Sequence, residues 1–264
     1  MIRLAALLWL AWCGAASAAP QRVLSLDQCA DQYVLALAPR ETVVGLSHRA
    51  DDRDSHLAAA ARRLPQRRTS HEAVFAARPD VVVRYWGGDP PLVRALERRG
   101  ARVITIEDAQ DFTGVRANLR RVAAALGQKP KGQRLEAAMD ADLARAAGAW
   151  RGRSALYLTP GGFTAGAGSM IDAMLRASGL RNAAAAPGFA PAPLERLVLA
   201  PPAAFVLGFF DMARYARWDL AAHPVLQRLR RGRTAASLPG RYLHCPAWFM
   251  SEGVARLAER APAR

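Results

Sequence analysis

DFTGVRANLRRVAAALGQKPKGQRLEAAMDADLARAAGAW, residues 111–150, runs for forty residues without one convincing strand. Phe112, Val115, Leu119, Val122 and Leu126 recur at steps of three and four, an apolar stripe that Gly127 closes as a C-cap. Pro130 stands where a second helix can begin. That helix would carry Leu135, Met139, Leu143, Ala146 and Trp150 on one face, with Glu136, Asp140, Asp142 and Arg145 turned elsewhere. From about Pro130 to Trp150 it would be roughly 30 Å long, the diameter of a small domain. Such a helix can carry the chain from one lobe to another. It also resists hinge bending, so the pattern predicts two lobes around a fairly fixed cleft.

On the N-terminal side the pattern alternates. Arg22–Leu26 reads as a strand, followed by a helix bearing Tyr33, Val34, Leu37 and Ala38; Thr42–Leu46 is the next strand, ending in the polar loop Ser47-His48-Arg49-Ala50-Asp51-Asp52. Ser70 caps a short helix to Ala77, and Arg78-Pro79-Asp80 leads into Val81-Val82-Val83. Tyr85-Trp86-Gly87-Gly88-Asp89 follows, Pro90 opens a helix that Gly100 stops, and Arg102–Ile106 is a fourth strand. Strands separated by helices imply parallel pairing, right-handed crossovers and a site beyond the strands' carboxyl ends. The loops expected there hold Cys29, His48, Arg49, Tyr85, Trp86 and Asp108.

On the C-terminal side a second series begins with a strand at Ala155–Leu158. The glycine-rich loop from Thr159 to Ser169 suggests a dinucleotide site, but Ile171 stands at the third glycine position and no acid lies about twenty residues on, so that reading fails. Ser169 caps a helix through Ile171, Met174 and Leu175. Pro193-Leu194-Glu195-Arg196-Leu197 forms a short helix before a strand at Ala203–Leu207, the arrangement that Glu72 and Val81 make in the first half. A helix at Trp218–Leu229 and a last strand at Arg241–His244 precede Cys245-Pro246-Ala247-Trp248-Phe249.

Residues 1–18 have a leader's form: basic Arg3, an apolar run from Leu4 to Trp12 too short to span a bilayer, and the small-residue site Ala16-Ser17-Ala18. Cys13 invites a lipoprotein reading, which bulky Trp12 just before it disfavours. Without the leader 246 of 264 residues remain, enough for one large or two modest domains. The expected division is 1–18 leader, 19–110 N-terminal lobe, 111–152 helical linker and 153–264 C-terminal lobe. The net charge of +15 would ordinarily suggest nucleic acid. The basic residues, however, are scattered arginine pairs such as Arg62-Arg63 and Arg98-Arg99, with Lys129 and Lys131 the sole lysines. Solvated faces and a biased composition account for them, and no nucleic-acid partner is expected of an exported chain.

Arg22-Val23-Leu24-Ser25-Leu26, then Val43-Val44-Gly45-Leu46-Ser47, then Glu72 six residues before Arg78-Pro79-Asp80-Val81-Val82-Val83, resemble the helical-backbone class of ABC-transporter solute-binding proteins. That class captures cobalamin, ferric siderophores and haem in the Gram-negative periplasm, and the resemblance covers essentially the whole mature chain. Trp86-Gly87-Gly88-Asp89 is most similar to the B12-binding branch. The resemblance implies two α/β lobes, each with a mostly parallel sheet flanked by helices, joined by a long backbone helix with the ligand cleft between them. It also implies one exposed acid per lobe, Glu72 and Glu195, facing arginines of an inner-membrane ABC permease dimer. Where family members have Asp-Tyr-Pro after the second strand, this chain has His48-Arg49-Ala50-Asp51-Asp52, which leaves the ligand's identity open.

The expected function is capture of a bulky metal chelate by a periplasmic, monomeric binding protein that is no catalyst and holds no resident cofactor. A cobalt corrinoid comes first, with a ferric siderophore or haem as the alternative. An exported enzyme or a direct metal-ion binder would be readings from other classes. No serine, histidine and acid set marks a hydrolase, and the spacing of His48, His71, His223 and His244 supports no bare metal site. The candidate ligand-binding residues are Asp27, Gln28, Cys29, His48, Arg49, Tyr85, Trp86, Phe163 and Trp248. The aromatics among them have a competing reading as core residues. Cys29 and Cys245 are expected on opposite lobes. Because a disulfide needs Cα atoms within about 7 Å, a cleft wide enough for a macrocycle predicts free thiols.

Overall fold

The computed structural model describes residues 21–184, 186–215 and 223–262, so the leader lies outside the described residues. Five parallel strands, β1 (Val23–Ser25), β2 (Val43–Ser47), β3 (Gln66–Arg67), β4 (Val81–Arg84) and β5 (Arg102–Thr105), pair in the order β3-β2-β1-β4-β5. Helices α1 (Gln28–Leu37), α2 (Ala58–Ala61), α3 (His71–Ala76) and α4 (Pro90–Arg98) cover this sheet. Val81, Val82 and Val83 are all fully buried, as a sheet covered on both faces requires of its central strands. The strand order reverses between β1 and β4, so the loops leaving those two strands open a crevice.

The 111–150 stretch forms two helices, α5 (Phe112–Ala125) and α6 (Lys129–Ala146). Asp111 caps α5 by accepting from Gly114 N at 2.9 Å, and the whole Phe112, Val115, Leu119, Val122, Leu126 stripe is buried. Gly127 takes φ +66°, where a side chain would be strained, and turns the chain into α6. The 18 residues of α6 span about 27 Å. It ends at Ala146 rather than Trp150 because Gly148 adopts φ +71° and breaks the helix. Trp150 still reaches the core, donating its indole N–H to Leu257 O at 2.8 Å.

The second lobe has four parallel strands, β6 (Ser154–Leu158), β8 (Arg181–Asn182), β10 (Ala204–Gly208) and β11 (Thr234–Leu238), in the order β11-β10-β6-β8. A two-stranded antiparallel ribbon, β7 (Phe163–Ala165) with β9 (Phe189–Pro191), projects beside it. The helices are α7 (Met170–Ala177), α8 (Leu194–Leu199), α9 (Pro224–Arg230) and α10 (Met250–Glu259). Of the helix expected at Trp218–Leu229, residues 218–222 lie outside the described residues and α9 begins only at Pro224. The strand expected at Arg241–His244 is instead a 3-10 turn at Gly240–Tyr242. The true last strand, Thr-Ala-Ala-Ser-Leu at 234–238, is too small and polar to stand out, and Pro239 ends it.

One continuous core runs through both lobes. Tyr33 of α1 packs edge-on against Trp248 at 5.2 Å between ring centroids, and the His56 ring stacks on Phe249 at 4.2 Å. From the other side α10 lies along α6, where Ser251 Oγ donates to Asp142 at 2.9 Å. Two helical ties and an aromatic seam therefore hold the lobes.

Below the crevice, Asp31 of α1 is fully buried and joins three elements. Its carboxylate accepts from Ser25 Oγ of β1, and from both the backbone N–H (2.9 Å) and Oγ (2.6 Å) of Ser47 at the end of β2. Burial pushes its pKa up to about 6, against the opposing effect of those three donors. An acid whose folded pKa is raised stabilises the fold most below its unfolded value near 4, and that stabilisation is lost as pH rises to about 6. The two-unit difference is worth about 3 kcal/mol. Urea midpoints of the wild type should therefore fall between pH 4 and 6 by more than those of Asp31→Asn; parallel pH profiles would remove Asp31 as the cause. Where α5 crosses α6, a Cβ on Gly132 would sit 2.5 Å from that of Ala123. Gly132→Ala gains roughly 1 kcal/mol of helix propensity but overpacks the crossing by about 1 to 3 kcal/mol. A net loss of about 1 kcal/mol in chemical unfolding is expected, and a more stable variant would show that the crossing yields.

Candidate functional site

Asp27 positions the first wall of the crevice. As N-cap of α1 it accepts from Ala30 N at 2.9 Å through Oδ1, while Oδ2 accepts from the backbone N–H groups of Tyr85 (2.6 Å) and Gly87 (2.9 Å). Gly87 is needed for this approach, since a Cβ there would meet Leu26 O at 2.4 Å. Arg84 Nε donates to Gly87 O at 2.7 Å, and Asp89 caps α4. The 85–89 loop is thus fixed by its backbone, and Trp86 stands out from it 72% exposed. An indole so presented is not a core residue.

Around Trp86 lies a cavity of about 480 Å³ lined by Asp27, Gln28, Cys29, His48, Arg49, Tyr85 and His244, among others. A second cavity of about 280 Å³ shares Tyr85 and His244 with it and reaches Asp108, Gln110, Met170, Phe189 and Met250. The two together form the interlobe cleft. A larger concavity of about 610 Å³ lies between α5 and α6, lined by Arg120, Lys129 and Glu136 with a Gly and Ala floor. No loop of the crevice reaches it, so chemistry favours the cleft.

The sequence-predicted residues divide in three. His48, Arg49, Tyr85 and Trp86 line the cleft with side chains at least partly exposed. His48 makes no hydrogen bond or ion pair among the described residues, whereas Arg49 pairs with Asp52 at 2.8 Å. The Tyr85 hydroxyl donates to Asp108 at 2.5 Å; burial, then this acid, raise its pKa and hold it as a phenol. Asp27 and Gln28 line the cleft but are already engaged: Asp27 holds the Trp86 loop, and Gln28 is buried with Nε2 donating to Asp54 at 2.8 Å. Phe163, 48% exposed on the ribbon, lines neither cavity; Phe189 on the facing strand, 66% exposed, lines the second. Phe189 was missed because Pro187-Gly188 and Pro191 read as a loop.

Two expectations are overturned. Trp248 is 7% exposed and packed between Tyr33 and Phe249, so it belongs to the seam and touches no cleft cavity. Cys29 and Cys245 are not free thiols: they are joined, with Cα atoms 5.4 Å apart. Cys245 does not leave the end of a strand: after β11 and a 3-10 turn, the 240–249 segment runs under α1, where Tyr33 donates to Pro246 O at 3.3 Å, and so brings Cys245 against Cys29 beneath the cleft. His244, beside it, contacts Asp54 at 3.2 Å, and burial lowers its pKa.

Glu72 on α3 and Glu195 on α8 are exposed and without an ion pair among the described residues. Each helix directly precedes a central strand, β4 or β10, so the two acids hold equivalent places in the two lobes.

A comparison with curated proteins gives no match. Among solved structures, a periplasmic heme-binding protein from Pseudomonas aeruginosa matches at 26% identity over 92% of each chain, with a TM-score of 0.68. The heme-binding protein RhuT from Roseiflexus sp. RS-1 matches at 23% over 92% of this chain and 99% of that one, with a TM-score of 0.69. The vitamin B12-binding protein BtuF of Vibrio cholerae matches at 15% over 92% and 97%, with a TM-score of 0.67. The family model described as periplasmic binding protein matches residues 23–233, and the chain, with its two lobes and connecting helix, belongs to that family.

Proposed function

We propose that the protein captures a bulky metal chelate in the interlobe cleft of the periplasm, after export by the 1–18 leader, and hands it to an ABC importer. A corrinoid such as cobalamin is the first reading. Trp86 carries it: an exposed indole at the mouth of a cleft, on a loop whose backbone Asp27 holds, is an apolar face awaiting a flat partner. Covering on the order of 100 Å² of it contributes about 2 to 3 kcal/mol.

Haem is the second reading, favoured by His48. Its unpartnered imidazole lines the same cavity as Trp86 and offers a ring nitrogen to a metal, while Tyr85, held as a phenol, is poorly disposed to act as a phenolate. The heme-binding relatives support this reading as the B12-binding relative supports the first. A ferric siderophore would look chiefly to Arg49.

Visible spectra of the purified protein with cobalamin, hemin or a ferric hydroxamate distinguish the three. Trp86→Ala should weaken binding of the accepted chelate by about 1 to 3 kcal/mol, and unchanged affinity would remove the indole from the site. His48→Ala should shift a haem spectrum and leave a corrinoid spectrum alone. Glu72 and Glu195 are the proposed contacts to permease arginines, because carboxylate and guanidinium pair in an orienting, bidentate way. Glu72→Arg and Glu195→Arg should each reduce uptake in cells with chelate affinity intact. Loss of chelate binding in a folded charge-reversal variant would count against docking.

A further inference from the structure

The floor of the cleft holds three groups that sequence spacing gave no reason to join. Cys29, His244 and Cys245 place their potential ligand atoms within 4.8 Å of one another. They come from two sides of the seam: Cys29 is the second residue of α1, and the other two belong to the turn whose His244 N–H donates to Gly240 O at 2.9 Å. We propose that the dithiol form of the protein binds a thiophilic divalent transition ion such as zinc through the Cys29 and Cys245 thiolates and the His244 imidazole.

The geometry needs little change. Tetrahedral zinc at about 2.3 Å from sulfur and about 2.0 Å from nitrogen sets ligand atoms roughly 3.5 Å apart. Once the S–S bond opens, Cα atoms 5.4 Å apart leave room for two sulfurs at that spacing. The N-terminus of α1 stabilises a thiolate on Cys29. Asp54 lies 3.2 Å from His244 Nδ1 and is itself held by Gln28, a carboxylate–histidine arrangement that fixes the ring and leaves its other nitrogen without a partner among the described residues. Cys29 and His244 both line the 480 Å³ cavity, so the fourth position opens to solvent or cargo.

The reducing step calls for an external dithiol carrier. Its thiolate attacks Cys29 Sγ, the sulfur on the cavity side, the S–S bond breaks, and Cys245 leaves as a thiolate that takes up the proton the carrier's first thiol gave to solvent; the carrier's second thiol, as thiolate, then attacks the carrier sulfur of the mixed disulfide and releases Cys29, which is protonated in the same way. Two electrons and two protons pass to the chain, and the carrier becomes a disulfide. Metal binding releases one proton from each thiol. The ion then bridges the seam that the disulfide bridged before.

The test uses mature protein reduced with a phosphine under anaerobic conditions, freed of reductant, and titrated with cobalt(II), with zinc as competitor and no chelate present; its failure therefore leaves the proposed cargo untouched. One cobalt per chain is expected, with thiolate charge-transfer absorption and a tetrahedral visible band, both abolished by zinc and absent from the oxidised protein. Cys29→Ser and Cys245→Ser should lose most of the charge-transfer intensity. His244→Ala should weaken binding at least tenfold, and Asp54→Asn about 10- to 100-fold. A reduced protein with native circular dichroism and no such absorption overturns the proposal. So does a band indifferent to His244→Ala, or unfolding on reduction, since the site requires the folded seam.

Discussion

The structure depends on the seam between its lobes more than on either sheet. Tyr33, Trp248, Phe249 and the His56 ring form a packed aromatic run, covalently fastened at one end by Cys29–Cys245 and backed at the other by α6 against α10. Chain-entropy arguments give the cross-link about 5 kcal/mol, because it closes a loop of more than two hundred residues in the unfolded chain. The rings add burial of order 25 cal/mol per Å². Either is a large fraction of a domain's net stability. Separating the lobes would expose a core, not an interface.

The cleft inherits its shape from that seam. Asp27 shows how: one carboxylate caps α1, whose second turn faces the seam through Tyr33, and the same carboxylate pins the loop that presents Trp86. Asp31, one turn on, holds β2 just before His48. The aromatic and the imidazole on the cleft wall are thus set by two acids of one short helix, the half-buried cap Asp27 and the buried Asp31, each stabilised by more than one donor. Removing either acid would disturb the position of a cleft residue it never touches.

Much of this was legible in the sequence. The 111–150 stripe, the Val81–Val83 run and the capping residues Ser70 and Ser169 fixed the two-lobed frame, because periodicity and caps are local signals. The Trp86 loop was legible for the same reason: two glycines, an acid and a proline in order. What was not legible was long-range. Trp248 resembled a cleft aromatic because it follows Pro246 in an apparent loop, and only packing against Tyr33, 215 positions away, makes it core. Cys245 was misplaced because β11 was missed, so the segment after it was assigned to the wrong edge of the lobe. Phe189 lacked a signal because its strand is three residues long and exists by pairing with β7.

A seam that does not open has a kinetic meaning for any partner resting on both lobes. Glu72 and Glu195 stand on helices of two lobes that share one continuous core. A core that holds the two acids at one spacing would keep lobe closure from reporting occupancy. If the two acids dock the proposed partner, an unladen molecule would dock as well as a laden one, the two would compete by simple mass action, and the fraction of productive encounters would equal the fraction of molecules carrying cargo unless the cargo itself touched the partner. Throughput would then be governed by the ratio of cargo to protein, and excess empty protein would slow delivery.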